Sequence, residues 1–272
     1  MRDFRMDKVA KVPIGAKTYS LTSDDDYLDT ITDGFEPDMV RLFQCLLQKR
    51  FCALDVGANI GCTSILFGEL ATRVISFEPS PTTFRFLRTN IEKSGLSNIR
   101  LCNYGLGAEP GESLLTYATN NRSGAFVSGT MKTSIGHSTE SIRIRTLDEV
   151  ERELDLPGID FIKIDVEGFE KSVIAGGRDV IDRFKPIVVL ELNHWCLNVF
   201  QRICVPDFLD YLRTIFPVLL AIDGTSFLDL HDESESYIVM YHHINHLKYR
   251  NLLGAFHADQ LDVFHRQYAH AA

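Results

Sequence analysis

The chain has 272 residues, 45% of them hydrophobic and 24% charged, with a formal net charge of -9. That balance describes a globular chain able to build its own core without a disulfide framework. No long Lys/Arg run offers a nucleic-acid phosphate footprint, and no apolar run is long enough to span a bilayer.

The six cysteines, at positions 45, 52, 62, 102, 196 and 204, form no CxxC pair. Several lie in apolar runs, so buried reduced thiols are expected rather than disulfides or a zinc site. The opening MRDFRMDKVAKV has no apolar leader core, and the expected compartment is the cytoplasm.

Residues 1–30 read as a strand-rich lead-in, alternating over Lys17–Leu21 and then turning at Ser23-Asp24-Asp25-Asp26. A helix is predicted over 36–49, with Met39, Val40, Phe43, Leu46 and Leu47 at helical spacing and Pro37 in its first turn. A regular alternation follows: strand 51–56, helix 61–70, strand 73–78, helix 81–94 closed by Gly95, strand 99–104. Further on come strand 159–166, a helix to about 183, strand 186–192, a helix around 206–215 and strand 217–222. Asp223-Gly224 is a turn signal, SYIVMY (236–241) reads as a further strand, and 246–268 as a terminal helix. Short apolar strands alternating with helices imply a doubly wound, mostly parallel α/β sheet with an antiparallel last strand.

Residues 107–146 break this rhythm. They are too long for an ordinary connection and rich in Gly, Ser, Thr and Asn. LLTYAT (114–119) and SIRIRTL (141–147) alternate and can pair as a hairpin around a mobile stretch. Such an insertion is either a lid or binding loop, or a tolerated surface excursion. The expected organisation is a lead-in over 1–50, a core domain over 51–242 carrying this insertion, and a helical tail over 243–272.

The chemistry concentrates at strand ends, where open α/β sheets bind ligands. Asp55-Val56-Gly57-Ala58-Asn59-Ile60-Gly61 joins the first core strand to its helix. A dinucleotide loop needs glycine at the position held here by Asn59, because pyrophosphate must approach the backbone. S-adenosylmethionine carries no pyrophosphate and tolerates that side chain, so it is the favoured ligand, ahead of a dinucleotide or a turn without ligand. Asp55 can orient the loop or meet a cationic amine. Glu78, ending the second strand, can accept both hydroxyls of a ribose. Asn103, ending the third, stands where an adenine would lie by topology.

The fourth strand ends in Lys163-Ile164-Asp165-Val166-Glu167, and the fifth in Glu191-Leu192-Asn193-His194. A lysine in an apolar strand needs a partner, which Asp165 or Glu191 can supply. Asp165 is the first candidate base and His194 the second, with Lys163 and Glu167 balanced between function and helix capping. Carboxylates such as Asp165 and Glu191 can also hold a divalent cation that lowers a hydroxyl pKa. His242-His243-x-x-His246 gives no reason to expect three ligands on one face.

These motifs together resemble the FkbM family of O-methyltransferases, over roughly residues 35–222. The likeness is carried by Asp55–Gly61, Phe77-Glu78-Pro79, Thr146-Leu147-Asp148, Ile159–Glu170, Gly176-Gly177 and Pro186 to Glu191. The resemblance implies a class I, Rossmann-like methyltransferase fold and methylation of a hydroxyl on a sugar, other glycan or natural-product small molecule. It implies S-adenosylmethionine contacts at Asp55, Gly57, Asn59, Gly61 and Glu78; Ala58 and Pro79, in the same segments, are further candidate cofactor contacts. Phe35-Glu36-Pro37 matches the family's segment before the first core strand, where Glu36 can reach the donor. The tail beyond residue 242 matches nothing in the family and is expected as an accessory helix or a homo-oligomer contact. A non-catalytic protein that binds the same cofactor is the alternative from another class.

Overall fold

The computed structural model describes residues 6–49, 51–128, 136–154 and 156–271. Its strands are β1 (Lys8–Ile14), β2 (Lys17–Ser23), β3 (Cys52–Val56), β4 (Arg73–Phe77), β5 (Ile99–Cys102), β6 (Gly105–Leu106), β7 (Gly111–Ala118), β8 (Asn121–Val127), β9 (His137–Arg145), β10 (Phe161–Ile164), β11 (Ile187–Glu191), β12 (Val218–Asp223), β13 (Ser226–Asp229), β14 (Asn251–Ala255) and β15 (Ala269–His270).

Nine of them form one sheet in the order β15-β13-β12-β14-β11-β10-β3-β4-β5. The block β11-β10-β3-β4-β5 is parallel throughout. Alternate residues of each inner strand feed opposite cores. Ala53, Phe161 and Val189 face the helices Pro37–Leu46, Cys62–Leu70 and Pro81–Ser94, whereas Leu54, Ile162 and Leu190 face Leu147–Leu154, Arg178–Phe184 and Val205–Arg213. That two-sided burial explains why these strands read as continuous apolar runs. Edge-on Phe43, Phe67 and Phe161 lock the first two helices onto β10, with centroids 4.9 to 5.9 Å apart.

Three expectations need correction. SYIVMY lies inside a helix, Glu233–His246. Its β-forming residues are overruled by Asp232, whose carboxylate accepts the N–H groups of Ser234 and Glu235 as an N-cap. The partner that Asp223-Gly224 turns toward is instead β13. Residues 246–268 are not one helix: they contain β14, a 3-10 turn and the short helix Asp262–Gln267. The strands that run against the parallel block are β14, wedged between β11 and β12, and β13 and β15 at the end of the sheet. Finally, the helix expected to run to 183 breaks at Gly176-Gly177. A Cβ on Gly176 would stand 1.9 Å from the carbonyl oxygen of Gly107.

The insertion is ordered where it is described. β7 and β9 pair antiparallel as the alternation predicts, and β8 and β6 extend them into a four-stranded sheet, β6-β9-β7-β8. Glu140 pins it to the helix start at Ser80 and Thr82, while Arg122 pairs with Asp24 and Asp25 of the lead-in. Residues 129–135, within the stretch expected to be mobile, lie outside the described residues. The cysteines are free, and all but Cys204 are buried. Among the described residues, no helix is long and apolar enough to cross a membrane.

Candidate active site

A cavity of about 520 Å³ opens beyond the carboxyl ends of β3, β4, β10 and β11, in the size range of small-molecule sites. The insertion roofs it with Leu115, Ala125, Val127, Ile142 and Ile144, and Tyr27 and Arg122 close one side.

The loop after β3 alternates into left-handed backbone at Gly57 (φ 85°), Asn59 (φ 49°) and Gly61 (φ 103°). Asparagine is among the few side chains that enter this region readily, which reconciles Asn59 with a loop otherwise built on glycines. Glycine at 57 serves close packing: a Cβ there would stand 1.9 Å from the carbonyl oxygen of Asp165. Gly57 and Ala58 donate their N–H groups to the Phe77 carbonyl at 3.1 and 3.0 Å, which draws the loop across the end of β4.

Glu78 fastens the same loop. One carboxylate oxygen accepts the Asn59 N–H at 3.0 Å and the other the Ser80 N–H at 2.9 Å. Burial pushes its pKa up to about 7, against the two backbone donors. Each oxygen keeps lone-pair capacity, and the carboxyl lines the cavity. Asn103 does not line it; its side-chain amide donates to the carbonyls of Glu78 and Pro79 at 2.9 and 3.2 Å and so braces this corner from behind.

Asp55 is fully buried below the loop rather than on the cavity wall. It accepts the Ser64 hydroxyl at 2.6 Å, and its other oxygen lies 3.6 Å from Lys163 Nζ. Lys163 sits opposite Asp55 in the β10–β3 register, and its ammonium also meets Asp165 at 3.2 Å and donates to the Gly57 carbonyl at 3.2 Å. Burial opposes its charge, but Asp165 and Asp55 outweigh burial and hold the pKa above the ordinary lysine value. The lysine therefore ties together the ends of β3 and β10.

Four carboxyls meet at the far end. Single oxygens of Asp165, Glu167 and Glu191 lie within 4.8 Å of one another. Glu36, on a strained backbone of φ 29°, lines the same space. Burial pushes the Glu191 pKa well up and the Asp165 charge adds to it. Burial also acts on Asp165, yet Lys163 and a hydrogen bond from Glu191 prevail and hold it below the ordinary aspartate value. Their surroundings thus push the two carboxyls in opposite directions, Glu191 up and Asp165 down. Glu167 and Glu36 are raised by burial and then by Asp165. Glu167 is itself placed by the Asn193 amide at 2.7 Å.

His194, the second candidate base, stands apart. It does not line the cavity, and its ring packs edge-on against buried His243 at 4.9 Å. His243 directs Nδ1 at the Lys248 carbonyl, 2.7 Å away. Sequence reasoning passed over Arg250 and Asn251, which line the cavity from the segment leading into β14. Arg250 pairs with Glu191.

Residues 55–220 match the family described as the Methyltransferase FkbM domain. Among curated proteins, the chain is 30% identical to the hexuronic acid methyltransferase AglP of Haloferax volcanii, over 57% of this chain and 61% of that protein. It is 28% identical to the 2-O-methyltransferase NoeI of Sinorhizobium fredii, over 48% of this chain and 58% of that protein. Among solved structures, the methyltransferase FkbM from Methylobacillus flagellatus aligns at 20% identity with a TM-score of 0.43, covering 64% of this chain and 42% of that one. The chain spans about three fifths of the length of the curated relatives it matches. The family match takes in the loop after β3, the Glu78 corner and the β10 and β11 strand ends, and it covers more than half of the sequence: the chain belongs to the FkbM methyltransferase family.

Proposed function

We propose that the protein is an S-adenosylmethionine-dependent O-methyltransferase acting on a hydroxyl of a sugar or natural-product small molecule. One observation carries this reading: a single cavity joins a carboxylate-braced loop at one end to the clustered carboxyls of Asp165, Glu167 and Glu191 at the other. The names of the relatives, one acting on hexuronic acid and one a 2-O-methyltransferase, support a hydroxyl-bearing sugar as acceptor.

The residues fit the cofactor. Glu78 has acceptor capacity for a ribose, Asn59 and Ala58 offer the loop edge, and Pro79 and Leu106 give an apolar wall. Glu36 lines the same cavity and offers acceptor oxygens to a cationic amino group. Asp55, Gly61 and Asn103 hold this end in shape from outside the cavity. When bound, S-adenosylmethionine supplies an electrophilic methyl group on a positively charged sulfur. Asp165 takes the proton that the acceptor hydroxyl gives up, and Lys163 below it stabilises the charge that Asp165 holds beforehand. The roof from β7 to β9 keeps water from the apolar half of the cavity. His194 has no part in this mechanism, because its ring lies off the cavity.

The test is release of S-adenosylhomocysteine from S-adenosylmethionine in the presence of methyl glucoside, methyl glucuronide, methyl rhamnoside and a macrolide alcohol. Turnover with at least one, and a methyl ether in the product by mass spectrometry, is the expected result. Tight binding of S-adenosylhomocysteine with no turnover on any of them would make the chain a non-catalytic binder.

A further inference from the structure

We infer that Arg250 is a positioning residue for the methyl transfer, contributed by the C-terminal segment to hold the Asp165–Glu191 pair in its working arrangement. The inference rests on the reading that Asp165 receives the acceptor proton.

The backbone fixes where Arg250 stands. β14 is wedged antiparallel between β11 and β12, with Asn251 opposite Glu191. One residue earlier, the Arg250 carbonyl accepts the Leu192 N–H at 2.6 Å. The arginine therefore enters the site from the strand next to the one that carries Glu191. Its guanidinium pairs with Glu191 Oε1 and lines the cavity.

The pair is poorly suited to a purely structural role. The Arg250 side chain is 57% exposed, and ion pairs of that kind add little to stability. Its electrostatic reach is wide: its charge favours the ionised forms of Glu36, Asp165, Glu167 and Glu191. Lys163 cannot replace it, because that ammonium is buried beneath the site and committed to Asp165, Asp55 and the Gly57 carbonyl. Arg250 meets Glu191 from the more exposed side of the cluster. By gripping Oε1 of Glu191, it fixes that carboxyl beside Asp165, so the proton that arrives on Asp165 finds a fixed neighbour. Arg250 also lies beyond residues 55–220, so a site assembled from the family match alone omits it.

The experiment uses the full chain and whichever acceptor of the panel above is methylated fastest. Arg250→Ala is expected to lower kcat by about 10²-fold, the loss typical of a misplaced catalytic group, while KM for S-adenosylmethionine and the melting temperature stay near those of the unaltered protein. Arg250→Lys keeps the charge and should recover most of the loss. In the Asp165→Asn background, Arg250→Ala should cost almost nothing more, because the group it positions is gone. Unchanged kcat in Arg250→Ala overturns the inference. So does a loss confined to acceptor KM, or losses that multiply fully in the double variant. Full activity of Asp165→Asn would instead sink the reading beneath it, as would the absence of turnover on every acceptor.

Discussion

Glu78 accepts the backbone N–H of Asn59 at 3.0 Å, so the acid that follows β4 also holds the loop that follows β3. Loop shape and, in the proposed donor site, ribose contact then depend on one carboxyl. Glu78→Ala should weaken S-adenosylhomocysteine binding by about 1.5–3 kcal/mol, the worth of hydrogen bonds to a charged group. Glu78→Gln, which keeps one acceptor oxygen, should lose less. Isothermal titration measures both, and an unchanged affinity in Glu78→Ala would remove this residue from the donor site.

Gly57 is where loop and strand touch most closely. Because a Cβ would stand 1.9 Å from the Asp165 carbonyl oxygen, Gly57→Val should destabilise the fold as well as disturb the site. Even Gly57→Ala should lower the melting temperature, since the obstacle is backbone and the φ is positive. Thermal denaturation without ligand reads this directly. A normal melting temperature for Gly57→Val would show that the two strand ends can part.

For Asp165, the base reading predicts that Asp165→Asn folds, binds S-adenosylhomocysteine and turns over about 10²–10⁴-fold more slowly. Single-turnover rates are the measurement. Turnover of the unaltered chain is expected to survive EDTA; loss with EDTA and return with Mg²⁺ would mean that a cation, not the carboxylate alone, lowers the hydroxyl pKa.

Lys163→Met would leave Asp55 buried beside a methylene chain. Breaking a buried pair on one side costs about 3–5 kcal/mol, so a loss of that size in the unfolding free energy extrapolated from urea denaturation is expected. Adding Asp55→Asn should restore part of it, because the stranded charge is then absent. If Lys163→Met is no less stable than the parent, the lysine is not the tie between β3 and β10.

Glu170 carries a pH signature. Its carboxyl accepts the N–H groups of Val166 and Gly168 at 3.2 and 3.1 Å, yet burial pushes its pKa up to about 8 from an ordinary 4.5. Between those values the folded state holds a proton that the unfolded chain has released. Stability should therefore fall as pH rises from about 5 to 8 and level off above. Glu170→Gln, neutral at every pH, should flatten that slope. Melting curves of the two proteins across the range decide it, and parallel slopes would assign the dependence elsewhere.

The parallel half of the sheet was legible because β3, β4, β10 and β11 are buried on both faces and bounded by a turn or a cap. Asp55–Gly61 and Glu78 were legible for a related reason: polar groups placed immediately after apolar strands have few structural excuses. The misreadings have physical causes. Tyr, Ile, Val and Met at 237–240 favour strands in isolation, and only the Asp232 cap turns them into a helix. β8, with Arg, Ser and Gly in its centre, finds its pairing through β7 rather than through its own alternation. His194 drew notice by chemistry alone, whereas its direction is set by the packing of the last long helix. Arg250 follows an irregular stretch and no spacing marks it; its partner Glu191 was visible only as a charge at the end of an apolar run.

The placement of β14 has a consequence for synthesis. β11 and β12 are separated by a strand made 60 residues after β11 ends (251 − 191 = 60). As the chain leaves the ribosome, the parallel block from β5 to β11 can assemble with one open edge at β11, while the β12–β13 hairpin waits beside it with another. Both edges are apolar and stay unpaired until residue 255 has emerged and β14 zips them together. Open edges of that kind template pairing with other chains. The step that delivers Arg250 to Glu191 is thus also the step that seals the sheet, so a nascent or truncated chain lacking it has both an incomplete carboxyl cluster and open edges prone to aggregate.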